Sequence, residues 1–265
     1  MGGTKNIACC LPPAAIRQIF LLTREKIAEF ADSIDFIETA TSPLSEPDKQ
    51  TLFRLLPNTR LYNNYGSSES ASVCMFNYNA YRNKERCIGK PAVNAKIITL
   101  DESHRPVNAS KDNPGLIACI GDMNMKGYVN DPDLTSKVME NGAVITSDLG
   151  YIDSDGFVYI TGRQSDIINV GGLKVAPDEV ESAALGYEGI DDCICIAEKN
   201  TLTENSLKLL VVSSEKEGKG IDLISFRKYM AEKLETYKIP QKIEYVDKIE
   251  KTYNGKINRK FYKNK

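Results

Sequence analysis

The chain has 265 residues, 42% of them apolar and 26% charged, and its formal net charge at pH 7 is −2. This balance is typical of a globular protein, and the length allows one large domain or two ordinary ones with buried cores. The near-neutral charge gives no reason to expect nucleic acid or an anionic membrane as a partner, and no apolar run is long enough to span a bilayer.

The first third of the chain alternates between helical and extended patterns. Apolar residues recur at helical spacing over 16–31, and residues 34–40 have the pattern of a strand. A second helix is predicted over 45–56, where a serine with an aspartate three residues further on forms a start of the capping-box type. A short strand over 60–65 then leads into a predicted turn at Gly66. This β-α-β segment holds too few strands to complete a doubly wound sheet.

From about residue 87 the chain consists of short apolar runs separated by Gly, Pro, Asn and Asp. Four of these runs are predicted strands, at 95–100, 115–120, 143–147 and 157–161. The sequence Asp-Ser-Asp-Gly at 153–156 is predicted to form a hairpin turn. The whole pattern indicates a small antiparallel barrel or sheet.

The pattern changes again after residue 162. Helices are predicted over 177–185 and 221–234, and strands over 192–197, 208–213 and 242–246, followed by a basic tail. This α+β segment has about 100 residues, enough to fold alone. We place the boundary that precedes it at 163–166.

Cysteine and histidine usage excludes two chemical classes. The seven cysteines are an odd number, and their spacing forms no disulfide or zinc framework. Cys193 and Cys195 alternate with apolar residues as in a strand that faces a core, so we interpret them as core thiols. The single histidine, His104, leaves one candidate base, which argues against a Ser-His or Cys-His hydrolase. The opening residues lack a signal-peptide pattern, and we expect a cytoplasmic protein.

Polar residues are concentrated beside glycines at four places, two of them in the first part of the chain. Residues 65–70 form a strand end followed by a tight turn, whose N–H groups and hydroxyls could bind a phosphate while Glu69 holds Mg²⁺. Asp148 follows an apolar strand, where a carboxylate can accept hydrogen bonds from both ribose hydroxyls. The alternatives are an ordinary serine-rich turn and a turn aspartate.

The other two places lie further along the chain. Arg163 precedes the paired glycines Gly171 and Gly172, and it could bridge ribose or phosphate; the alternative is a hairpin with a solvated arginine. Lys256 follows an Asn-Gly turn in the basic tail. It does not belong to a P-loop, because the required earlier glycine and the following Ser or Thr are absent. The alternative here is a solvated tail, or one that touches polyanions.

In combination, these four places resemble the adenylate-forming superfamily, which includes acyl-CoA synthetases, firefly luciferase and the adenylation domains of peptide synthetases. The similarity runs from about Thr39 to Lys260. The family's Tyr-Gly-x-Thr-Glu resembles residues 65–69, its Thr-Gly-Asp resembles 146–148, and its C-terminal Gly-Lys resembles 255–256.

The resemblance implies a multidomain fold of α/β and α+β type. Residues 1–86 are then expected to be a partial α/β subdomain of a larger N-terminal domain, and residues 87–162 a small β-barrel-like subdomain. Residues 163–166 are expected to act as a hinge, and residues 167–265 to form a compact, mobile α+β domain.

The resemblance also implies the functional residues. Lys256 and Glu69 are expected to be catalytic, with Glu69 as the Mg²⁺ ligand. Tyr65 is expected to stack on adenine, and Asp148 and Arg163 to contact the ribose. The complete set expected to bind the nucleotide and the thiol substrate is Ala40, Thr41, Ser42, Asn64, Tyr65, Gly66, Ser67, Ser68, Asp148, Arg163, Gly171 and Gly172.

The sequence departs from the family pattern in several respects. Ser68 replaces a threonine but keeps the hydroxyl expected at the α-phosphate, and Ser147 replaces a glycine. The hinge position corresponds to Ser165, with Asp166 next to it, and either could take that role. The family's Ser/Thr/Gly-rich phosphate loop and the N-terminal region that carries it have no counterpart, so an incomplete enzyme is expected.

The implied reaction uses ATP, Mg²⁺ and CoA to convert a small carboxylic acid into an acyl-adenylate and then a thioester. A carrier-protein thiol remains an alternative acceptor. Two other classes stay open: a non-catalytic fragment that binds a nucleotide or a partner, and a polyanion-binding protein acting through residues 248–265. A separate N-terminal half or a homo-oligomer would be compatible with the expected incompleteness.

Overall fold

The computed structural model describes residues 7–213, 221–253 and 255–263. The chain divides into two compact units, whose bounds are Met1–Leu44 with Asp48–Gln164 for the first and Ser45–Pro47 with Ser165–Lys265 for the second. None of the helices within the described ranges is long and apolar enough to cross a membrane.

The first unit is built on one sheet of ten described strands. The strands are β1 (Ile7–Cys10), β2 (Ile34–Thr39), β3 (Arg60–Ser67), β4 (Ala71–Asn77), β5 (Cys87–Pro91), β6 (Ala95–Leu100), β7 (Gly115–Gly121), β8 (Met139–Glu140), β9 (Ala143–Ile152) and β10 (Val158–Arg163). Their order is β1-β2-β3-β4-β5-β10-β9-β7-β6, with β8 beside β9. β1, β2 and β3 run parallel, and every later pairing is antiparallel.

Three helices accompany this sheet, α1 (Pro13–Thr23), α2 (Glu46–Leu55) and α3 (Pro132–Val138). α2 agrees with its prediction within one residue at each end. The single helix predicted over 16–31 is wrong in extent, because α1 begins earlier on Pro13 and gives way at Arg24 to a 3-10 helix that runs to Phe30. Arg24 has a positive φ of 51°, which an α-helix does not accommodate.

The predicted turn at Gly66 is also wrong. Gly66 lies inside β3, directly after a bulge, and the turn to β4 follows at residues 68–70. A Cβ atom at Gly66 would lie 1.8 Å from the carbonyl oxygen of Ala71 on β4. Glycine is therefore required at this position by the close approach of the neighbouring strand.

The segment predicted to be a small antiparallel barrel or sheet is part of a longer sheet. β5 pairs with β4 on one side and with β10 on the other, so the expected α/β and barrel-like segments share one ladder. Among the described strands no pairing returns from β6 to close a ring. A common core of buried residues nevertheless lies between β4, β5, β6, β7 and β10, and includes Val73, Ile88, Ile97, Ile117 and Val158. The turn predicted at 153–156 is confirmed, with Gly156 at φ 82°.

The second unit contains a two-stranded and a three-stranded sheet with short helices. Its elements are β11 (Ile168–Val170), β12 (Leu173–Val175), α4 (Pro177–Ala184), β13 (Asp192–Asn200), β14 (Glu204–Val212), α5 (Leu223–Ala231), β15 (Lys242–Tyr245) and α6 (Arg259–Lys263). α4 and α5 supply Val180, Phe226 and Met230, each fully buried, to a core that also contains Cys193 and Cys195. The two cysteines are thus buried in a core, as predicted.

The basic tail is more ordered than predicted. Lys251 and Ile257 form an antiparallel bridge, and the tail continues into α6. Lys256 therefore lies directly before a bridged residue, Ile257, and not in the solvated tail that was the alternative. Asn254, part of the predicted Asn-Gly turn, lies outside the described residues.

Candidate active site

The first polar cluster of the site surrounds the carboxylate of Asp148. Asp148 lies on β9, and its Oδ2 accepts a 2.7 Å hydrogen bond from the Tyr65 hydroxyl on β3. Its Oδ1 is 3.1 Å from Nε of Arg163 on β10, and its backbone N–H donates to Oγ1 of Thr146 at 3.1 Å. β9 and β10 pair with Arg163 opposite Asp148, so the ladder itself places this ion pair. The structure thus brings together the two residues expected at a ribose, Asp148 and Arg163, and the tyrosine expected at the adenine, Tyr65.

The protonation of this cluster follows from its burial. Burial and the adjacent Asp148 carboxylate raise the pKa of Tyr65 far above its ordinary value, because a phenolate here would lose hydration and meet a negative charge. Tyr65 therefore donates its proton, and Asp148 is the acceptor. The Asp148 side chain is 15% exposed and Arg163 is 49% exposed, so one edge of the cluster remains open to a ligand. A carboxylate at such an edge suits the hydroxyl pair of a ribose.

The second polar cluster is the turn between β3 and β4. The hydroxyl of Ser67 accepts hydrogen bonds from the N–H groups of Glu69 and Ser70, at 3.2 and 3.1 Å. Ser67 thus shapes the turn, while Ser68 is exposed at its tip. The Tyr128 hydroxyl donates to Glu69 Oε1 at 2.7 Å, and this hydrogen bond is the main cause that holds the pKa of Glu69 below its ordinary value. Glu69 is therefore an oriented, ionised carboxylate.

The chemistry of Glu69 fits its expected role toward Mg²⁺. Within the described ranges no group of three or more His, Cys, Asp or Glu could by itself hold a metal. Mg²⁺ at nucleotide sites commonly takes one or two carboxylates and completes its shell with phosphate oxygens and water. One ionised carboxylate on an exposed turn is the donor set that this mode of binding requires.

Residues 40–42 follow the C-terminal end of β2, next to β3. Thr39 pairs with Asn63, so Ala40 and Asn64 come next on two parallel strands. Asn64 donates from Nδ2 to Glu38 at 2.9 Å and accepts from Ser72 at 2.6 Å, so both ends of its amide are already bonded. Thr41 has a φ of 77°, which is rare for a β-branched residue and is commonest at functional sites. Ligands of α/β sheets bind at this end of parallel strands.

In the second unit, Gly171 and Gly172 form the two-residue turn between β11 and β12. Their φ values are 59° and 88°, the left-handed pair that a tight hairpin needs. Gly171 N–H donates to the carbonyl of Thr203 at 2.9 Å, and Gly172 N–H to the side chain of Asn169 at 2.9 Å. The turn is exposed and is fixed by these two hydrogen bonds, one of which reaches the segment between β13 and β14.

Lys256 lies between Lys251 and Ile257, which form an antiparallel bridge in the same unit. Its carbonyl accepts hydrogen bonds from the N–H and hydroxyl of Thr252, at 2.7 and 3.2 Å. The side chain is half-buried, and among residues 7–213, 221–253 and 255–263 its ammonium has no hydrogen-bonding or ionic partner. The backbone of Lys256 is thus held by Thr252.

Two residues of these clusters, Thr146 and Tyr128, were not predicted as site residues, nor was Arg259, which contacts carboxylates of the second unit. Thr146 belongs to the segment 146–148 that resembles the Thr-Gly-Asp of the family, so its contact with Asp148 had a sequence signal. Tyr128 reaches Glu69 from 59 residues away, and Arg259 reaches Glu181 from 78 residues away. No local pattern marks either pair.

The first unit thus holds an oriented aspartate and an ionised turn glutamate, and the second unit holds a lysine near the end of the described chain. The family model of AMP-binding enzymes matches residues 6–129, and that of the AMP-binding enzyme C-terminal domain matches residues 179–256. The chain belongs to the family of AMP-binding enzymes, which confirms the family expected from the sequence.

Curated relatives include CoA ligases of bacteria and plants. The long-chain-fatty-acid–CoA ligase of Bacillus subtilis (strain 168) is 32% identical over 208 residues, which are 78% of this chain and 37% of the relative. The 4-coumarate–CoA ligase 3 of Arabidopsis thaliana is 29% identical over 267 residues, 98% of this chain and 46% of the relative. The chain thus spans less than half the length of these relatives.

Solved structures agree with the fold. The amide bond synthetase McbA of Marinactinospora thermotolerans superposes with a TM-score of 0.85 at 21% identity, over 97% of this chain and 52% of that one. The o-succinylbenzoate CoA synthetase of Bacillus subtilis, in complex with its acyl-adenylate intermediate, gives 0.82 at 23% identity, over 98% and 51%. The fold class expected from the sequence is confirmed.

Proposed function

We propose that the chain is part of an acid–thiol ligase that activates a carboxylic acid with ATP and transfers the acyl group to CoA. The observation that supports this most is the Asp148 carboxylate, oriented by Tyr65 and Arg163 with one edge open. Membership of the AMP-binding family and the CoA ligases among the relatives agree with it.

In the first half-reaction a carboxylate oxygen of the acid attacks the α-phosphorus of ATP. The bond from this phosphorus to the bridging oxygen breaks, and pyrophosphate leaves from an acyl-adenylate. Negative charge builds on the phosphoryl oxygens, and we propose that the Lys256 ammonium stabilises it. Asp148 and Arg163 hold the ribose, Tyr65 lies against the adenine, and Glu69 would hold Mg²⁺. When bound, that ion neutralises phosphate charge.

In the second half-reaction the CoA sulfur attacks the carbonyl carbon of the acyl-adenylate, and the carbon–oxygen bond to AMP breaks. The proposed role of the Gly171–Gly172 turn is to approach the thiol closely, since neither residue has a side chain. Between the half-reactions, residues 167–265 would turn about residues 163–166. A hinge at an element boundary is the usual place for such a motion.

The first experiment asks whether the chain catalyses adenylation at all. Pyrophosphate exchange into ATP is measured for the chain alone and with a polypeptide that covers the N-terminal part of its relatives. Exchange only in the complemented sample is expected. Nucleotide binding without exchange in both samples would instead establish the non-catalytic fragment, and binding that depends steeply on salt would indicate a polyanion site.

The second experiment tests the role of Lys256. Lys256→Ala should lower adenylation by about 100-fold or more, the usual effect of removing a charge-stabilising group. It should leave thioester formation from a supplied acyl-adenylate within about twofold. Lys260→Ala, a change at an exposed tail lysine, is the control. An equal loss in both half-reactions would contradict the proposed role.

A further inference from the structure

Arg259, three residues after Lys256, is the centre of a cluster of carboxylates in the second unit. Its guanidinium binds Glu181 through both terminal nitrogens, with Nη1 to Oε1 at 2.9 Å and Nη2 to Oε2 at 2.7 Å. Nη2 also contacts Asp178, and Nε lies 3.4 Å from Oδ2 of Asp166. We call these four residues the Arg259 cluster.

The cluster is connected to the core of the unit. The Glu181 side chain is 8% exposed, and its Oε1 also accepts the backbone N–H of Cys195 on β13 at 2.8 Å. Cys195 is itself buried. A two-point arginine–carboxylate pair fixes orientation as well as distance. Arg259 is thereby fixed with respect to α4 and β13.

The same cluster includes a residue of the expected hinge. Asp166 forms an ion pair with Arg259, and its Oδ1 accepts a 3.0 Å hydrogen bond from Nζ of Lys263, one turn further along α6. Lys263 Nζ also donates to the carbonyl of Ser165 at 2.5 Å. The Asp166 side chain is 13% exposed, whereas Ser165 is exposed. Two cations of the tail thus hold Asp166 within the second unit.

The backbone between Lys256 and Arg259 has little conformational freedom. Ile257 bridges to Lys251, and Asn258 N–H donates to the carbonyl of Glu250 at 2.9 Å. The bridge fixes the direction of the chain, and Arg259 fixes its end. A shift of the guanidinium would therefore be transmitted to Lys256 over three peptide bonds.

We propose that Arg259 is a positioning residue for adenylation, which sets the location of Lys256 by binding Asp166, Asp178 and Glu181. Asp166 then moves with the second unit, so the backbone rotation of the hinge takes place at or before Ser165. The proposal rests on the proposed function of Lys256.

Arg259→Lys is the decisive variant, because lysine keeps the charge but lacks the planar fork that binds two oxygens. Arg227→Lys, an arginine on the exposed side of α5, is the matched control. Lys263→Met, which removes contacts of an exposed ammonium while Arg259 remains, is a milder second variant. Adenylation and thioester formation are measured in the complemented enzyme, and backbone hydrogen exchange is measured in the chain itself.

For Arg259→Lys we expect the kcat of pyrophosphate exchange to fall about 10-fold to 100-fold, the effect of a displacement near 1 Å, with the KM for ATP within about threefold. Thioester formation from supplied acyl-adenylate should stay within about threefold. The rate of backbone hydrogen exchange in peptides that span 251–258 should rise about tenfold, while the amides of β13 and β14 stay protected. Lys263→Met should change the same quantities less, and Arg227→Lys should change none.

Each other outcome has a distinct meaning. Unchanged adenylation in Arg259→Lys, or equal loss in both half-reactions, overturns the positioning role. If Lys256→Ala leaves adenylation intact, the proposed function of Lys256 fails on its own. In that case backbone hydrogen exchange of peptides 251–258 in Arg259→Lys still decides whether Arg259 orders this segment. Unchanged protection of these peptides would overturn that claim as well.

Discussion

Tyr65→Phe tests the central contact of the first unit. The substitution keeps the aromatic ring and removes the hydroxyl that donates to Asp148 at 2.7 Å. A hydrogen bond to a charged acceptor contributes about 1.5–3 kcal/mol, and the carboxylate left behind is largely shielded from water. We therefore expect the free energy of unfolding to fall by about 2 kcal/mol near neutral pH.

The pH dependence of this difference provides a second, independent measurement. The pKa of Tyr65 is raised in the folded state, so its contribution is fully present below the unfolded pKa of about 10 and is lost as pH rises above it. Each pH unit in that range corresponds to about 1.4 kcal/mol for one proton. The stability difference between wild type and Tyr65→Phe should hence shrink steeply above about pH 10.

The assay is urea unfolding of both proteins in parallel between about pH 8 and about pH 11, followed by far-ultraviolet circular dichroism. Other tyrosines and cysteines titrate in the same range, but they are common to both proteins and cancel in the difference. Tyr253→Phe, at a fully exposed position, is the control and should change the free energy of unfolding by less than about 0.5 kcal/mol. A Tyr65→Phe difference that stays constant up to pH 11 would refute the reasoning.

Two further predictions concern the turn beside this cluster. Gly66→Ala should destabilise the first unit by about 3 kcal/mol, because its Cβ would lie 1.8 Å from the backbone of the neighbouring strand. The control is Gly156→Ala, whose Cβ has open space, so that it should cost only the strain of a φ of 82°, about 1 kcal/mol. Urea unfolding should therefore show the larger loss of stability for Gly66→Ala. Equal losses would contradict this. Tyr128→Phe should raise the pKa of Glu69 toward its ordinary value, as measured by carboxyl NMR, and an unchanged pKa would show that another group orients this carboxylate.

Much of the fold could be predicted because it is encoded locally. The bounds of β6 agree with the predicted strand, and the 153–156 turn depends on adjacent Asp and Gly residues. The first helix was extended too far because the hydrophobic spacing continues past Arg24, where the backbone takes a positive φ. Apolar periodicity does not detect such a change of conformation at an exposed position.

The clusters of the site could be predicted only in part. Asp148 and Arg163 are paired by neighbouring strands, and the similarity to a family supplied both. Two other interactions join segments that are distant in the sequence, namely the hydrogen bonds of Tyr128 to Glu69 and of Arg259 to Glu181. An ordinary tyrosine or a tail arginine carries no signal of its partner. Sequence therefore identified the groups expected to meet the nucleotide better than those that orient them.

The meeting of Tyr65 with Asp148 shows why the first unit needs one continuous sheet. Four strand-to-strand steps separate β3 from β9 in the order β3-β4-β5-β10-β9, which in a flat sheet would amount to about 19 Å. The two side chains are in hydrogen-bond contact, so the sheet must curl until these strands face each other. Gly89 on β5, with a φ of 102° and a virtual Cβ 2.2 Å from the carbonyl of Met75, lets β5 approach β4 within this curl. The pairing of strands thus continues without interruption through residue 87, where the sequence changes from mixed helices and strands to short strands. The contact of Tyr65 with Asp148 depends on this continuous pairing.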